Sequence, residues 1–303
     1  MEAAAVTPIH PPISELRAGQ RFEGRYACAN KERLTARNGS AYLSVRLRDR
    51  TGELSARAFR EADRLGLRFE RGDAIWVRGR VERYRGELVA ELDDVRRLGA
   101  GEADPAEFLP AAYRSLDELE GFLEHLVREI HDDPLRVAVE RAVLREPVAS
   151  EFRRAPCTRG GHHAYLGGLL EHTVSVATLV GELCVLHPRL DSDLLMAAAI
   201  VHDVGKTREF TYGAEFGISD EGQQLGHLAI GAEIVGAVAD GLDPQRRLQL
   251  LGCLLAHHGS DSSSTRARPG TRASAAAGFP SAEALALYRL NALDASVKNA
   301  LEH

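Results

Sequence analysis

The sequence predicts an α+β chain of two domains, a small five-stranded β-barrel followed by an all-α domain. Three features carry that reading. Up to about residue 98, short runs alternate apolar and polar residues between turn signals. From Leu116 onward, apolar residues return every third or fourth position, as on one face of a helix. Between the two patterns, residues 100–115 are rich in Gly, Pro and acid with little periodicity, as a linker is.

The first domain, residues 1–99, opens with the alternating run Arg21–Ala29, which the hairpin signal Asn38-Gly39 joins to Ala41–Arg48. Thr51-Gly52 turns the chain into Leu54–Phe59, and Arg60–Leu67 reads as a short helix. Gly72-Asp73 leads into Ala74–Tyr84, and Arg85-Gly86 into Glu87–Leu92. Five strands with one helix between the third and fourth is the order of an OB-fold barrel. In the second domain, residues 116–300, Leu116, Leu119, Phe122, Leu123, Leu126 and Ile130 share one helical face. Further helices are expected over 134–145, 163–187, 191–203, 226–240, 243–258 and 281–300, with a turn or short strand at Ile218–Gly222. Residues 260–279, rich in Ser, Ala, Arg and Gly, are expected as a mobile loop. Leu301-Glu302-His303 reads as a tag remnant, so His303 is left out of any site.

Hydrophobic residues at 44% and charged residues at 27% are ordinary for a soluble globular protein, which excludes disordered and fibrous classes. No run of about 18 apolar residues occurs, so no membrane span is expected. MEAAAVTPIHPP lacks the basic and apolar stretches of a signal peptide. Cys28, Cys157, Cys184 and Cys253 form no CxxC pair; reduced, mostly buried thiols of a cytoplasmic protein are expected. Residues 1–99 carry 20 Lys and Arg against 15 Asp and Glu, while the rest carries 18 against 29. A basic barrel points to an anionic polymer as partner, and the acidic remainder agrees with carboxylates gathered around cations.

Seven residues of the second domain stand out: His172, the pair His202-Asp203, His227, the pair His257-His258, and Asp294. Imidazole and carboxylate are the ligand types of Zn, Mn, Fe and Mg. His202-Asp203 ends the apolar run Leu194–Val201, and His257-His258 ends Leu248–Ala256. Burying such groups costs on the order of a few kcal/mol unless something pairs with them, and a metal is the economical partner. Lys206, one turn from Asp203, adds a fixed cation for phosphate oxygens, although a lysine there also answers a helix C-terminus. His10, His125, His131 and His187 lack such a setting and read as surface or hydrogen-bonded residues.

The ordered set resembles the H…HD…D signature of the HD-domain phosphohydrolase superfamily, with His227 and His257-His258 as in members that hold two metals. The strings His162-His163-Ala164-Tyr165, GGLLEHT, HDVGK, Gly226-His227, AHHG and Leu293-Asp294-Ala295 are similar to those of YhaM-type 3′→5′ exoribonucleases. Those proteins also carry an OB-fold ahead of the HD domain, so the resemblance covers nearly the whole chain. It departs at residues 260–279, which are longer and richer in Arg and Ser. The resemblance implies an OB-fold followed by an all-α HD domain holding two divalent ions, manganese ahead of Fe, Co, Zn or Mg. It assigns His172, His202, Asp203 and Asp294 to one ion and His227, His257 and His258 to the other, with Asp203 between them. It gives Lys206 the scissile phosphate or the leaving oxygen. His162 and His163 are candidates for the product phosphate or for orienting ligands, and Glu171 for orienting a ligand histidine.

The expected function is metal-dependent 3′→5′ hydrolysis of single-stranded RNA, and of single-stranded DNA as a second polymer, to nucleoside 5′-monophosphates. On the barrel, Tyr26, Tyr42, Phe59, Arg46, Arg48 and Arg80 are candidates to hold the strand by charge and by stacking, which contributes about 1–3 kcal/mol per base. Phe22, Phe69 and Trp76 are expected in the barrel core, and Tyr84 is open. Other readings are an HD phosphohydrolase acting on a small nucleotide or cyclic dinucleotide, with the barrel as an assembly module, a di-iron oxygenase, and a non-catalytic binder. Lys206 favours phosphate over O₂ chemistry, and an idle site has no reason to keep seven costly polar residues. Association into a homo-oligomer is left open by the apolar helical faces.

Overall fold

The computed structural model describes residues 11–36, 39–99, 101–259 and 278–302. The chain divides into two compact units, residues 1–110 with 212–217, and residues 111–211 with 218–303.

In the first unit, β1 (Arg21–Thr35), β2 (Ala41–Asp49), β3 (Gly52–Ala58), β4 (Ala74–Tyr84) and β5 (Glu87–Arg97) close into a barrel in the order β1-β2-β3-β5-β4. Helix α1 (Ala62–Gly66) lies between β3 and β4. Every neighbouring pair is antiparallel except β3 and β5. This is the OB-fold that the strand order predicts. Alternation places Ile75, Val77 and Val81 inside and Arg78 and Arg80 outside on β4. Phe22, Leu47, Leu65, Phe69, Ile75 and Val77 fill the barrel, each side chain contributing about 1.5–3 kcal/mol on burial. The segment expected as a linker holds local structure of its own. Asp104 and Glu107 form a reciprocal capping box on a 3-10 turn at Pro105–Glu107, and Phe108 and Leu109 are buried.

The second unit is helical: α2 (Leu116–Arg128), α3 (Asp133–Val143), α4 (Val148–Arg154), α5 (Gly168–Leu186), α6 (Ser192–Val201), α7 (Lys206–Glu209), α8 (Asp220–Val238), α9 (Pro244–Ala256) and α10 (Ala282–Glu302). Asp132, Asp191, Ser219 and Asp243 each accept a backbone N–H at the start of α3, α6, α8 and α9, which stabilises a helix by about 1 kcal/mol. Helix α6 is buried from Leu194 to Val201, which is why its sequence is apolar on every side. Helix α5, with mean hydropathy 1.5, is long and apolar enough to cross a membrane by length and composition alone, although Glu171, His172 and Glu182 interrupt its apolar residues. Half of that stretch is buried inside the unit, and it carries His172.

Several bounds differ from expectation. Helix α5 begins at Gly168 rather than 163, because His163 and Gly167 have positive φ and form a loop. Helix α8 begins at Asp220 and is kinked at Gly226, the residue expected to start it. The seven-residue α4 and the hairpin of β6 (Phe210–Tyr212) and β7 (Phe216–Ile218) are too short to show a period. Leu301 and Glu302 lie at the end of α10, where Glu302 pairs with Lys298 at 3.4 Å. The expected loop at 260–279 lies outside the described residues except for Gly278 and Phe279.

Candidate metal centre

Helices α6 and α9 end in the same way. His202 and His257 are their C-terminal caps, where the last carbonyls lack helical partners. His202 Nδ1 donates to Ala199 O at 2.8 Å, and His257 Nδ1 donates to Leu254 O at 2.6 Å. Each donation puts the proton on Nδ1 and leaves the Nε2 lone pair facing inward. His172, early in α5, donates from Nδ1 to Asp294 Oδ2 at 2.7 Å. His227, just past the Gly226 kink, donates from Nδ1 to Glu209 Oε1 at 3.2 Å, and its backbone N–H donates to the same oxygen at 3.1 Å. Four imidazoles thereby turn a bare Nε2 toward one space.

Asp203 sits among them, its two oxygens facing different histidines. Oδ2 is 3.3 Å from His202 Nε2 and 3.7 Å from His172 Nε2. Oδ1 is 3.3 Å from His257 Nε2 and 3.6 Å from His227 Nε2. His258 Nε2 lies 2.8 Å from His227 Nε2. The bare Nε2 atoms of His172 and His202 are 3.2 Å apart, a repulsive arrangement that a cation between them relieves. Asp203 Oδ1 and His257 Nε2 are buried without a hydrogen-bond partner, a costly state for polar atoms that a metal would satisfy. The donors fall into two groups whose atoms lie within 4.8 Å of one another: His172, His202 and Asp203, and Asp203, His227, His257 and His258. This donor set fits divalent cations.

The resemblance assigns Asp294 to the first ion together with His172, His202 and Asp203. In the structure Asp294 groups with His163 and His172 rather than with His202 and Asp203. Its Oδ2 lies on the Nδ1 edge of His172, away from the lone pair, and 3.0 Å from His163 Nε2. A carboxylate there sets the tautomer and angle of the imidazole. Behind it, His163 Nδ1 is 2.7 Å from Tyr165 Oη, which donates to Glu171 Oε2 at 2.6 Å. Glu171 therefore acts on His163 through Tyr165, not directly on a histidine of the two groups. Glu209 and Tyr165 were not legible as partners, since neither repeats a motif spacing that points to its role.

Lys206 is buried and donates to Asp203 Oδ2 at 2.7 Å and to Cys157 Sγ at 3.4 Å. Burial alone would raise the Asp203 carboxyl, but the Lys206 ammonium and His202 outweigh it and hold the group well below the carboxylate range. Burial likewise opposes charge on Lys206, and the Asp203 carboxylate wins, holding the ammonium above its usual value. Burial pushes His172 down to about 4, His257 to about 3 and His258 to about 4. These rings are neutral at physiological pH, the state that binds metal. His162, Lys206, Glu209, His227, His257 and His258 line a cavity of about 460 Å³.

On the barrel, the rings of Tyr42 and Phe59 pack at a tilt with centroids 5.3 Å apart, and Phe59 is 46% exposed. Arg46 and Arg80 are exposed, Arg46 with Glu53 at 3.2 Å. Tyr26 is a correction: it is wholly buried and donates its hydroxyl to Pro11 O at 2.7 Å, so it cannot stack on a base. Arg48 is a second correction, half-buried and donating to Ala214 O at 2.9 Å. Trp76 is a third: it points outward on β4 with the Arg78 guanidinium 5.9 Å from its ring, while Phe22 and Phe69 are in the core as expected. Tyr84 is exposed with the Arg57 guanidinium 4.4 Å over its ring.

Barrel and helical centre together define a protein of OB-fold and HD-domain type. Residues 28–98 match the OB-fold nucleic acid binding domain family and residues 169–295 the HD domain family. The HD domain is metal-dependent, and the clusters described above are able to hold metal. Over most of its length the chain resembles proteins named 3′-5′ exoribonuclease YhaM. That of Listeria monocytogenes serotype 4b is 29% identical over 268 residues, 87% of this chain and 81% of the relative. That of Halalkalibacterium halodurans is 27% identical over 245 residues, 79% and 75% of the two chains. That of Shouchella clausii is 28% identical over 250 residues, 82% and 78%.

Proposed function

We propose that this protein is a metal-dependent 3′→5′ exonuclease of single-stranded RNA that releases nucleoside 5′-monophosphates. The observation that carries the chemistry is Asp203, buried with one oxygen toward His172 and His202, the other toward His227 and His257, and Lys206 beside it. Two divalent ions, Mn²⁺ first among the candidates, fit the two groups, with Asp203 shared. When bound, such ions activate water and neutralise charge on phosphate oxygens. The polarity of digestion is taken from the relatives' names, and the OB-fold supports a single-stranded polymer as substrate.

The chain's own residues do the rest. Asp294 and Glu209 hold the rings of His172 and His227 at fixed angles. The backbone carbonyls of Ala199 and Leu254 do the same for His202 and His257. Lys206, at the cavity wall, offers an ammonium to the phosphate or the departing 3′-oxygen. His162 lines the same cavity, in position to meet the product phosphate, while buried His163 serves as a support for Asp294. A cavity of about 460 Å³ suits the end of a strand rather than a duplex. Tyr42, Phe59, Arg46 and Arg80 are the barrel residues that hold the strand. The free cysteines support a cytoplasmic setting.

The test is digestion of 5′-labelled single-stranded RNA, and of the matching DNA, with added Mn²⁺. A ladder shortening from the 3′ end and lost in Asp203→Ala is expected. Intact strands, with hydrolysis of small nucleotides instead, would move the function to the phosphohydrolase reading.

A further inference from the structure

Cys157 takes part in none of the steps above, yet its surroundings are those of a metal ligand. It is fully buried at the wall of the cavity. Its Sγ is 3.6 Å from His162 Nε2 and 3.8 Å from Asp203 Oδ2. The loop that carries it is closed on itself. Cys157 N–H donates to His163 O at 3.0 Å, Thr158 Oγ1 donates to His162 O at 2.9 Å, and Gly161 N–H donates to Thr158 Oγ1 at 2.9 Å. Sγ and Nε2 therefore face each other on a preformed turn. The donor atoms of Cys157, His162 and His172 lie within 4.8 Å of one another. Ligands about 2.0–2.3 Å from one tetrahedral ion stand at comparable separations.

We propose that Cys157 and His162, with His172 as a shared third ligand, form a separate site for a thiophilic divalent cation of the Zn²⁺ type, and that filling it inhibits the enzyme. The inhibitory part rests on the proposed function; the site itself does not. A sulfur ligand selects Zn²⁺ or Cd²⁺ over Mn²⁺ and Mg²⁺. Binding removes the thiol proton to solvent, since only the thiolate ligates. Occupation acts on the centre in two ways. It draws His172 away from His202 and Asp203, and it places a dication beside Lys206, whose ammonium donates to Cys157 Sγ.

The site is tested by titrating the full-length protein, Cys157→Ala and His162→Ala with Co²⁺ and recording the near-ultraviolet thiolate-to-cobalt charge-transfer band. The wild type is expected to show the band, Cys157→Ala to lack it, and His162→Ala to need at least about ten-fold more Co²⁺ to develop it. No band in the wild type overturns the site. A band that survives in Cys157→Ala belongs to another cysteine and overturns it equally. Zn²⁺ is then added to the Mn²⁺-supported reaction, each protein measured against its own uninhibited rate. Cys157→Ala is expected to require at least about ten-fold more Zn²⁺ for half-inhibition; equal sensitivity overturns the inhibitory role. If no protein degrades RNA, the proposed function fails, and the cobalt band still decides the site.

Discussion

Asp203 is buried between an ammonium on Oδ2 and bare imidazole nitrogens on Oδ1. Removing its charge while keeping its shape strands Lys206 in a low-dielectric site. Asp203→Asn is therefore expected to lose metal binding and to destabilise the metal-free protein by about 3–5 kcal/mol, the usual cost of breaking a buried pair. The double variant Asp203→Asn/Lys206→Met should regain most of that stability and none of the activity, as read by denaturant unfolding and RNA digestion. The buried histidines make a second prediction at this scale. Unfolded histidine titrates near about 6.5, and His172 and His257 are pushed down to about 4 and 3 in the fold. Between those values the unfolded chain binds more protons, so stability rises with pH. It is fully present above about pH 6.5 and is lost as pH falls toward 4 and then 3. Asp203 and Asp294, both held low, add a loss of the same sign below the ordinary carboxylate value. Melting temperatures in chelator should fall from pH 7 to pH 4; a flat profile would contradict neutral buried rings.

The elements that deliver these side chains depend on backbone detail. Helices α6 and α9 each place a histidine by letting it cap its own last turn, so burial of the helix and aim of the ligand are one event. Helix α8 reaches the site by another route. Gly226 has φ 69° and ψ 160°, a conformation that is essentially glycine's alone, and the kink turns His227 toward Glu209. Gly226→Ala should strain that turn by about 1–3 kcal/mol and weaken divalent-ion binding, measured by calorimetry, while the chain stays folded. Gly205 is required for a different reason. A Cβ there would lie 2.0 Å from His227 O and 2.6 Å from Gly231 N, so α7 and α8 would be forced apart. Gly205→Ala is expected to destabilise by about 1–3 kcal/mol or more. Gly181→Ala on α5, where a Cβ would meet nothing within 4 Å, should instead stabilise by up to about 1 kcal/mol. Equal effects in the two variants would refute the close approach.

For the whole molecule, the division of charge, a basic barrel and an acidic helical unit, matches the proposed division into strand binding and cleavage. The barrel's half-buried Tyr42 and exposed Phe59 lie outside its hydrophobic core and can be removed without disturbing it. Tyr42→Ala/Phe59→Ala should raise KM for RNA by about 5- to 150-fold, the equivalent of about 1–3 kcal/mol of stacking. Hydrolysis of bis(4-nitrophenyl) phosphate should be unchanged; a parallel loss would show the barrel to be structural. Arg80→Ala should lower RNA affinity and flatten its salt dependence by about 0.7 in the log–log slope if the arginine meets one phosphate.

Local pattern was enough for the strand order, the helices longer than two turns and the charge asymmetry, and it picked out the donors that the fold gathers, because period and composition are properties of neighbouring residues. It was also enough for two points that a stricter reading of parity would have caught. Tyr26 shares its face of β1 with Phe22, already assigned to the core, and Trp76 lies between the inward Ile75 and Val77. Other features were decided only by the tertiary structure. Glu209 behind His227, Tyr165 between His163 and Glu171, and Asp294 on the far edge of His172 come together from separate segments, and no spacing along the chain encodes which edge of an imidazole a carboxylate will meet. The same holds for Cys157, which as a sequence is one more isolated buried thiol. Only the closed turn that sets its sulfur against His162 and beside Lys206 makes it a candidate ligand.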